Sequence, residues 1–414
     1  MQFDLLVVGG GAAGFFGAIQ AATANPSLRI VILEKTQKVL TKVKVSGGGR
    51  CNVTHACHNP FELARHYPRG EKMLKLSFKE YHADHVAAWF ASRGVELKTE
   101  QDGRIFPRSD DSQTIIDCFL NEAARLQIEI HRGAAVISIE RNSEFSVHSA
   151  DGRSWRSKRV LIAVGGYNQA DAYNWIRALG HTVVPPIPSL FTFNDKERKF
   201  KELMGIAVPA GEVRIASTKF SQRGPLLITH WGLSGPAVIK LSAWAATYLH
   251  EQQYQFDARV NWTGEPDTRC RETLATAKTS RARQKIYGHP MFNLPQRLWV
   301  RLCEWSDIPE PRIWSEVSNR EMNRLAEHLA NTVIHVSGKT TFKEEFVTCG
   351  GVELSEVNTS SLESKLVAGL YFAGEVLNVD GETGGFNFQA AWTTAYLAAQ
   401  AINNSIRAFP GEQE

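Results

Sequence analysis

The chain opens on a mostly apolar run, Phe3-Asp4-Leu5-Leu6-Val7-Val8, that leads straight into Gly9-Gly10-Gly11-Ala12-Ala13-Gly14. An apolar run of this length bounded by glycine predicts a buried strand and a turn. The small-residue stretch through Phe15, Ile19 and Ala22 predicts a helix, and residues 29–33 predict a second strand ending at Glu34. Residues 159–164 predict another buried strand, closed by Gly165-Gly166. Near the carboxyl end, residues 369–373 predict a short strand before Gly374-Glu375. A glycine-rich loop follows at 380–387, and residues 388–406 predict a long alanine-rich helix.

The middle of the chain has a different rhythm. Pro185-Pro186-Ile187-Pro188 marks a boundary, because proline fixes φ and withholds a donor. Short β-type runs at 190–193, 212–215, 226–229 and 254–260 predict a small barrel or sheet. From about 264 to 330 the pattern turns helical, and residues 333–336 predict a returning strand. The expected organisation is a first domain in two pieces, 1–189 and 343–414. Between them come a barrel-like insert at 190–262, a helical insert at 263–330 and a returning barrel strand at 331–342.

Composition narrows the class. The 414 residues are 43% hydrophobic and 22% charged with net charge +4, which excludes disorder, collagen and coiled coil. Six cysteines, none in a Cys-x-x-Cys pair, argue against a zinc site or a secreted disulfide framework, so no metal is expected. The longest apolar run, residues 5–19, contains five glycines and follows Asp4. It suits neither a membrane span nor a signal peptide, so the expectation is a soluble, cytoplasmic protein with no membrane partner.

Gly9, Gly11 and Gly14 fit G-x-G-x-x-G, with Glu34 twenty residues after Gly14. In a strand–turn–helix context the first glycine makes the tight turn. The second lets the backbone approach a pyrophosphate, and the third lets the helix pack on the strand. The helix N-terminus faces the phosphates, and the acidic residue accepts ribose hydroxyls. A second string, Ser46-Gly47-Gly48-Gly49-Arg50, flanked by Lys42 and Lys44, reads as a further cofactor loop or as a flexible basic surface loop. Helix 388–406 adds a second positive dipole end, suited to negative charge on a reduced isoalloxazine. Binding elements at both chain ends suggest FAD rather than NAD. No second copy of the glycine motif occurs, so NAD(P)H is expected as a transient reductant.

These residues, with Thr229-His230-Trp231-Gly232-Leu233-Ser234-Gly235-Pro236, Val347-Thr348-Cys349-Gly350-Gly351-Val352 and the segment 369–389, resemble the HI0933-like (YhiN/BaiN-type) flavoproteins over nearly the whole chain. The resemblance implies an α/β fold: a Rossmann-like FAD-binding domain of the GR2 flavoprotein type, interrupted by an inserted β-barrel and helical domain. It also implies an FAD-dependent oxidoreductase using NAD(P)H to reduce a carbon–carbon double bond. The acceptor would be uridine in ribosomal RNA, giving dihydrouridine, or a steroid-like or enone small molecule. A non-catalytic flavin-binding redox sensor is the third reading. Asn378, Phe386 and His55 depart from the residues common in the family, which are aspartate, tyrosine and asparagine.

The candidate cofactor contacts are Gly9, Gly11, Ala12, Ala13, Gly14, Glu34, Lys35, Lys42, Ser46, Gly47, Gly48, Arg50, Cys51, Val136, Gly165, Gly374, Glu375, Gly384, Gly385, Phe386, Asn387 and Phe388. Cys51 and His230 sit in the motif strings and are candidate proton donors, with a packed thiol and a loop histidine as the alternatives. Six basic residues and one acidic residue between 268 and 285 form either an RNA-facing patch or a solvated helix face.

Overall fold

The computed structural model describes residues 2–340 and 347–407, so the expected boundary at 342/343 lies outside the described residues. The chain divides into two compact units, Met1–Ser189 with Lys343–Glu414, and Leu190–Phe342.

The first unit is built on a seven-stranded sheet of β1 (Gln2–Val8), β2 (Ile30–Leu33), β3 (Glu129–His131), β4 (Val136–Arg141), β5 (Phe145–Ser149), β6 (Ser154–Ile162) and β7 (Leu370–Phe372). β3, β2, β1 and β6 lie side by side and parallel, with Leu5 opposite Ile30 on one side and Arg159 on the other. β6 is long enough to serve two further partners on its other edge. Its amino half pairs antiparallel with β5, which pairs with β4, while its carboxyl half pairs parallel with β7. Val8 therefore stands opposite Ile162, and Ile162 opposite Phe372. Three strands from three distant parts of the chain end at one level, and the loops after them leave from the same sheet edge, where ligands of open α/β sheets bind.

Two helices cover this edge. α1 (Ala12–Ala24) is buried from Ala13 to Ala22, because it is covered by the sheet and by α2 (Phe386–Arg407). Its small residues permit that approach: a Cβ on Gly17 would stand 2.7 Å from Leu161 and 3.6 Å from Ala395. Phe15, Phe16, Trp89, Phe90, Phe119 and Trp392 form the aromatic centre of this core. A separate three-stranded sheet of Thr54–His55, Arg104–Pro107 and Leu97–Thr99 carries the polypeptide that follows the triple glycine.

The second unit is a closed six-stranded barrel of Thr192–Asp195, Gly232–Ser234, Ser221–Ile228, Ala207–Ile215, Gln255–Asn261 and Thr332–Thr340, in that spatial order. Alternating burial along Ala207–Ile215 and Thr332–Thr340 places one face inward, and closure leaves no sheet edge. Helices Asp267–Ser280, Gln296–Trp305 and Asn319–Asn331 pack beside it, the last started by a Ser318/Glu321 capping box. Among the described residues no helix is long and apolar enough to cross a membrane.

Candidate functional site

The glycine turn after β1 is tight where it touches protein and open where it does not. A Cβ on Gly14 would lie 1.9 Å from the Gly9 carbonyl oxygen, so only glycine lets α1 start this close to β1. Gly11 is the N-cap, in ordinary extended backbone, and a Cβ there would meet nothing within 4 Å. The first amides of α1, from Ala12, Ala13 and Gly14, thus begin at an open cradle of the kind an extended diphosphate fills. Gly9 is tied back to β2, its N–H donating to the Leu33 carbonyl at 2.8 Å.

Glu34 is held at the end of β2. The Gly10 N–H donates to Oε2 at 2.9 Å, and the Thr36 N–H and hydroxyl donate to Oε1 at 2.8 and 2.9 Å. The glycine turn therefore orients the carboxylate, and Oε2 retains lone-pair capacity for a hydroxyl. Segment 133–136 lies alongside. Gly133 N–H donates to the Thr36 carbonyl and Ala134 N–H to the Glu34 carbonyl, which sets Val136 next to this corner. Lys35 extends over the Tyr167 ring, 5.2 Å from its centroid.

The opposite end of the sheet edge comes from the carboxyl segment. Gly374 follows β7, and a Cβ there would stand 2.8 Å from Ala13 and 3.8 Å from Ala391, so α1 and α2 approach each other at this glycine. Lys42 Nζ pairs with Glu375 Oε2 at 2.7 Å, while the Thr348 N–H donates to Glu375 Oε1 at 2.8 Å. Gly165 and Gly166 border the same carboxylate, and the Thr348 hydroxyl beside them is buried with no hydrogen-bond partner among the described residues. The loop into α2 is fixed by its own side chains. Asn387 accepts from the Gly381 N–H at 2.8 Å and donates to its carbonyl at 3.0 Å. Gly385 packs on Thr54, and its N–H donates to the Asn52 amide oxygen at 3.0 Å once that amide is oriented to satisfy both its atoms. Phe388 stacks on Trp392, ring centroids 5.5 Å apart.

The second glycine string turns through left-handed backbone, with φ +58° at Gly47 and +68° at Gly48. A Cβ on Gly48 would meet nothing within 4 Å, so this turn also presents bare backbone. Ser46 Oγ donates to the Val43 carbonyl at 2.9 Å and anchors its start. Arg50 is engaged within the protein. Its guanidinium pairs with Glu100 at 2.6 Å and Asp110 at 3.4 Å and lies over the Phe106 ring, so its charge is spent on the three-stranded sheet.

Cys51 and His230 fall in different units. Cys51 is fully buried and sits at φ +61°, its N–H donating to the Ser46 carbonyl at 2.9 Å. Burial pushes its thiol up to about 12, against a small opposing effect from Ser46, so it holds its proton at neutral pH. His230 is exposed in the barrel unit, edge-on to Trp231 at 4.0 Å. A histidine in neither motif string lies against the loop before α2. His66 stacks on Phe386 with centroids 4.2 Å apart, and its Nδ1 lies 3.1 Å from Oε2 of Glu382, a carboxylate 6% exposed. His55 also stacks on Phe386, at 4.8 Å, and its ring lies 6.1 Å from that of His66. Below them the buried Asp380 carboxylate receives Arg69, with Nε to Oδ1 at 2.6 Å, and the Ser189 hydroxyl. Glu382 and Asp380 stood in a quoted motif, but nothing local in sequence marked His66 or Arg69 as their partners.

The open cradles at Gly11 and Gly48, the two converging helix starts, the oriented Glu34 and the orphaned Thr348 hydroxyl fit an extended dinucleotide such as FAD. The comparisons agree. The HI0933-like protein Rossmann domain matches residues 3–401. A 3-dehydro-bile acid delta(4,6)-reductase of Clostridium scindens is 29% identical, covering 95% of this chain and 98% of its own. A ribosomal RNA dihydrouridine synthase of Escherichia coli is 27% identical over 97% of this chain and 98% of its own. The structure of a 3-ketosteroid-delta4-(5alpha)-dehydrogenase from Rhodococcus jostii superposes with TM-score 0.52 at 14% identity, covering 96% of this chain and 97% of that one, and shows the shared fold. With its Rossmann-type sheet, its paired helix starts and a family match running almost from end to end, the chain belongs to the HI0933-like Rossmann-domain family and is a flavoprotein of the oxidoreductase class.

Proposed function

We propose that this protein is a cytoplasmic, FAD-dependent reductase that uses NAD(P)H to add two hydrogens across an electron-poor carbon–carbon double bond. Uridine in ribosomal RNA is the first acceptor class, and a steroid-like or enone small molecule is the second. The observation that carries the reading is the meeting of α1, α2 and three strand ends at one edge, with bare backbone at Gly11 and Gly48. The names of the two relatives support the bond type: one is a delta(4,6)-reductase, the other makes dihydrouridine. Three basic residues, Arg281, Arg283 and Lys285, support the RNA reading. Among the described residues they make no ion pair, whereas Arg269, Arg271 and Lys278 of the same stretch are engaged within the protein.

When bound, FAD supplies the two-electron chemistry between reductant and acceptor. The chain's part is to hold and to polarise. The first amides of α1 take the diphosphate, Glu34 takes the ribose hydroxyls, and the start of α2 favours negative charge on the ring. Reduction of the double bond also needs a proton. His66, oriented through Nδ1 by Glu382, leaves Nε2 as the atom from which a proton can pass.

The test is an anaerobic two-stage titration. Flavin-loaded protein is reduced with NADH or NADPH, then offered ribosomal RNA and a panel of activated alkenes, with the oxidised flavin's visible absorbance as the readout. Reoxidation by RNA, with dihydrouridine in the recovered nucleosides, supports the first acceptor; reoxidation by an enone alone supports the second. A flavin that no nicotinamide reduces and no acceptor reoxidises overturns the reading and leaves the redox-sensor alternative.

A further inference from the structure

The outer wall of the barrel sets two arginines side by side. Strands Ala207–Ile215 and Gln255–Asn261 run antiparallel, and their register sets Arg214 directly opposite Arg259. Residues directly opposite share one face of a sheet, and like charges placed so are destabilising. Among the described residues neither guanidinium makes an ion pair or hydrogen bond. Two of the neighbouring carboxylates, Glu212 and Asp267, are committed to other cations. Arg223 pairs with Glu212 at 3.1 Å, and Asp267 pairs with Arg271 at 2.7 Å. All but Arg271 line one cavity of about 530 Å³, with the start of helix Asp267–Ser280 on its wall. That helix is 14 residues long, so its first turn adds positive potential to the same space. Glu265 and Glu327 also line it and can accept from hydroxyl or amino groups.

We propose that this cavity is a ribonucleotide-phosphate site, with the phosphate bridging Arg214 and Arg259 and the nucleoside's donors facing Glu265 and Glu327. A paired-guanidinium clamp matches phosphate geometry, and the anion removes the repulsion between the two arginines. The volume is that of a small-molecule site and far exceeds one inorganic phosphate. The phosphate comes from a free nucleotide or from an RNA strand. The site lies wholly in the barrel unit and goes beyond the flavin chemistry proposed above.

The test uses full-length, flavin-loaded protein, so that the dinucleotide cradle is filled, and measures equilibrium binding of AMP, adenosine, inorganic phosphate and a short single-stranded oligoribonucleotide. AMP or the oligonucleotide is expected to bind, and adenosine is not. The double variant Arg214→Gln/Arg259→Gln should weaken binding by about tenfold or more, as expected for lost charged hydrogen bonds. It should melt no lower than the wild type without ligand, since a like-charge pair has been removed. If an RNA strand is the source, the oligonucleotide binds and AMP does not, and the slope of log affinity against log salt becomes shallower by roughly 0.7 in the variant, for the one phosphate lost. If a free nucleotide is the source, AMP matches the oligonucleotide. The proposal is overturned if neither binds, if inorganic phosphate binds as well as AMP, or if the double variant binds both unchanged. Because the variant reports on the barrel alone, the result is independent of whether the flavin reading survives.

Discussion

Two glycines three residues apart should respond in opposite ways to the same added methyl group. At Gly11 the backbone is extended, φ −94° and ψ −169°, which any residue adopts, and the new Cβ meets nothing within 4 Å. Gly11→Ala should therefore leave the apoprotein as stable as before or about 0.4–1 kcal/mol more stable, because the unfolded chain loses freedom. The methyl does occupy the space a diphosphate needs to reach the α1 amides. Loss of one charged hydrogen bond costs about 1.5–3 kcal/mol, or roughly ten- to a hundredfold in FAD affinity. At Gly14 the Cβ would sit 1.9 Å from the Gly9 carbonyl oxygen, where real contacts do not fall below 3.0 Å, so helix and strand must separate by more than an ångström. Gly14→Ala should cost the apoprotein about 1–3 kcal/mol by overpacking. Urea denaturation of the stripped protein and titration with FAD, followed by quenching of its fluorescence, give both quantities. The reasoning is refuted if Gly11→Ala takes up FAD with unchanged affinity, or if it destabilises the apoprotein as much as Gly14→Ala.

Three further outcomes are expected. His181 is buried, with Nε2 at 2.9 Å from the Ser364 hydroxyl, and burial lowers its proton affinity against the opposing pull of Glu356. The unfolded chain therefore takes up this proton first. Its contribution to stability is full above about 6.5 and is lost as pH falls from there, by up to about 1.4 kcal/mol per pH unit. Denaturation at roughly pH 7.5 and 5.5 should show a smaller loss in His181→Gln, and an identical loss would contradict the assignment. Cys51, its thiol pushed up to about 12, should stay unmodified when native protein meets iodoacetamide at mildly alkaline pH, and should react once unfolded. Peptide mass spectrometry checks this, and rapid native labelling would show that the thiol is accessible. Arg69→Met leaves the Asp380 carboxylate, fully buried and already pushed up by burial, without its cation. The expected cost is about 3–5 kcal/mol in urea denaturation, largely recovered in Arg69→Met/Asp380→Leu.

The strand–turn–helix unit at the amino end was legible in the sequence because its requirements are local. A tight turn, a close helix start and a carboxylate twenty residues on are all set by backbone geometry within one βαβ unit, and Gly9–Gly14 with Glu34 assemble as that spacing demands. The barrel strands were legible for the same reason, since alternation and turns are properties of neighbouring residues. What the tertiary structure alone decided is which distant side chains meet. Lys42 reaches Glu375 across 333 positions, Arg69 reaches Asp380 across 311, and His66 finds Glu382 across 316. Arg50 pairs with Glu100, the Cys51 thiol is sealed from water, and the register of two barrel strands puts Arg214 opposite Arg259. Each of these depends on closing a long loop or fixing a register, and the periodicity of neighbouring residues carries no information about either.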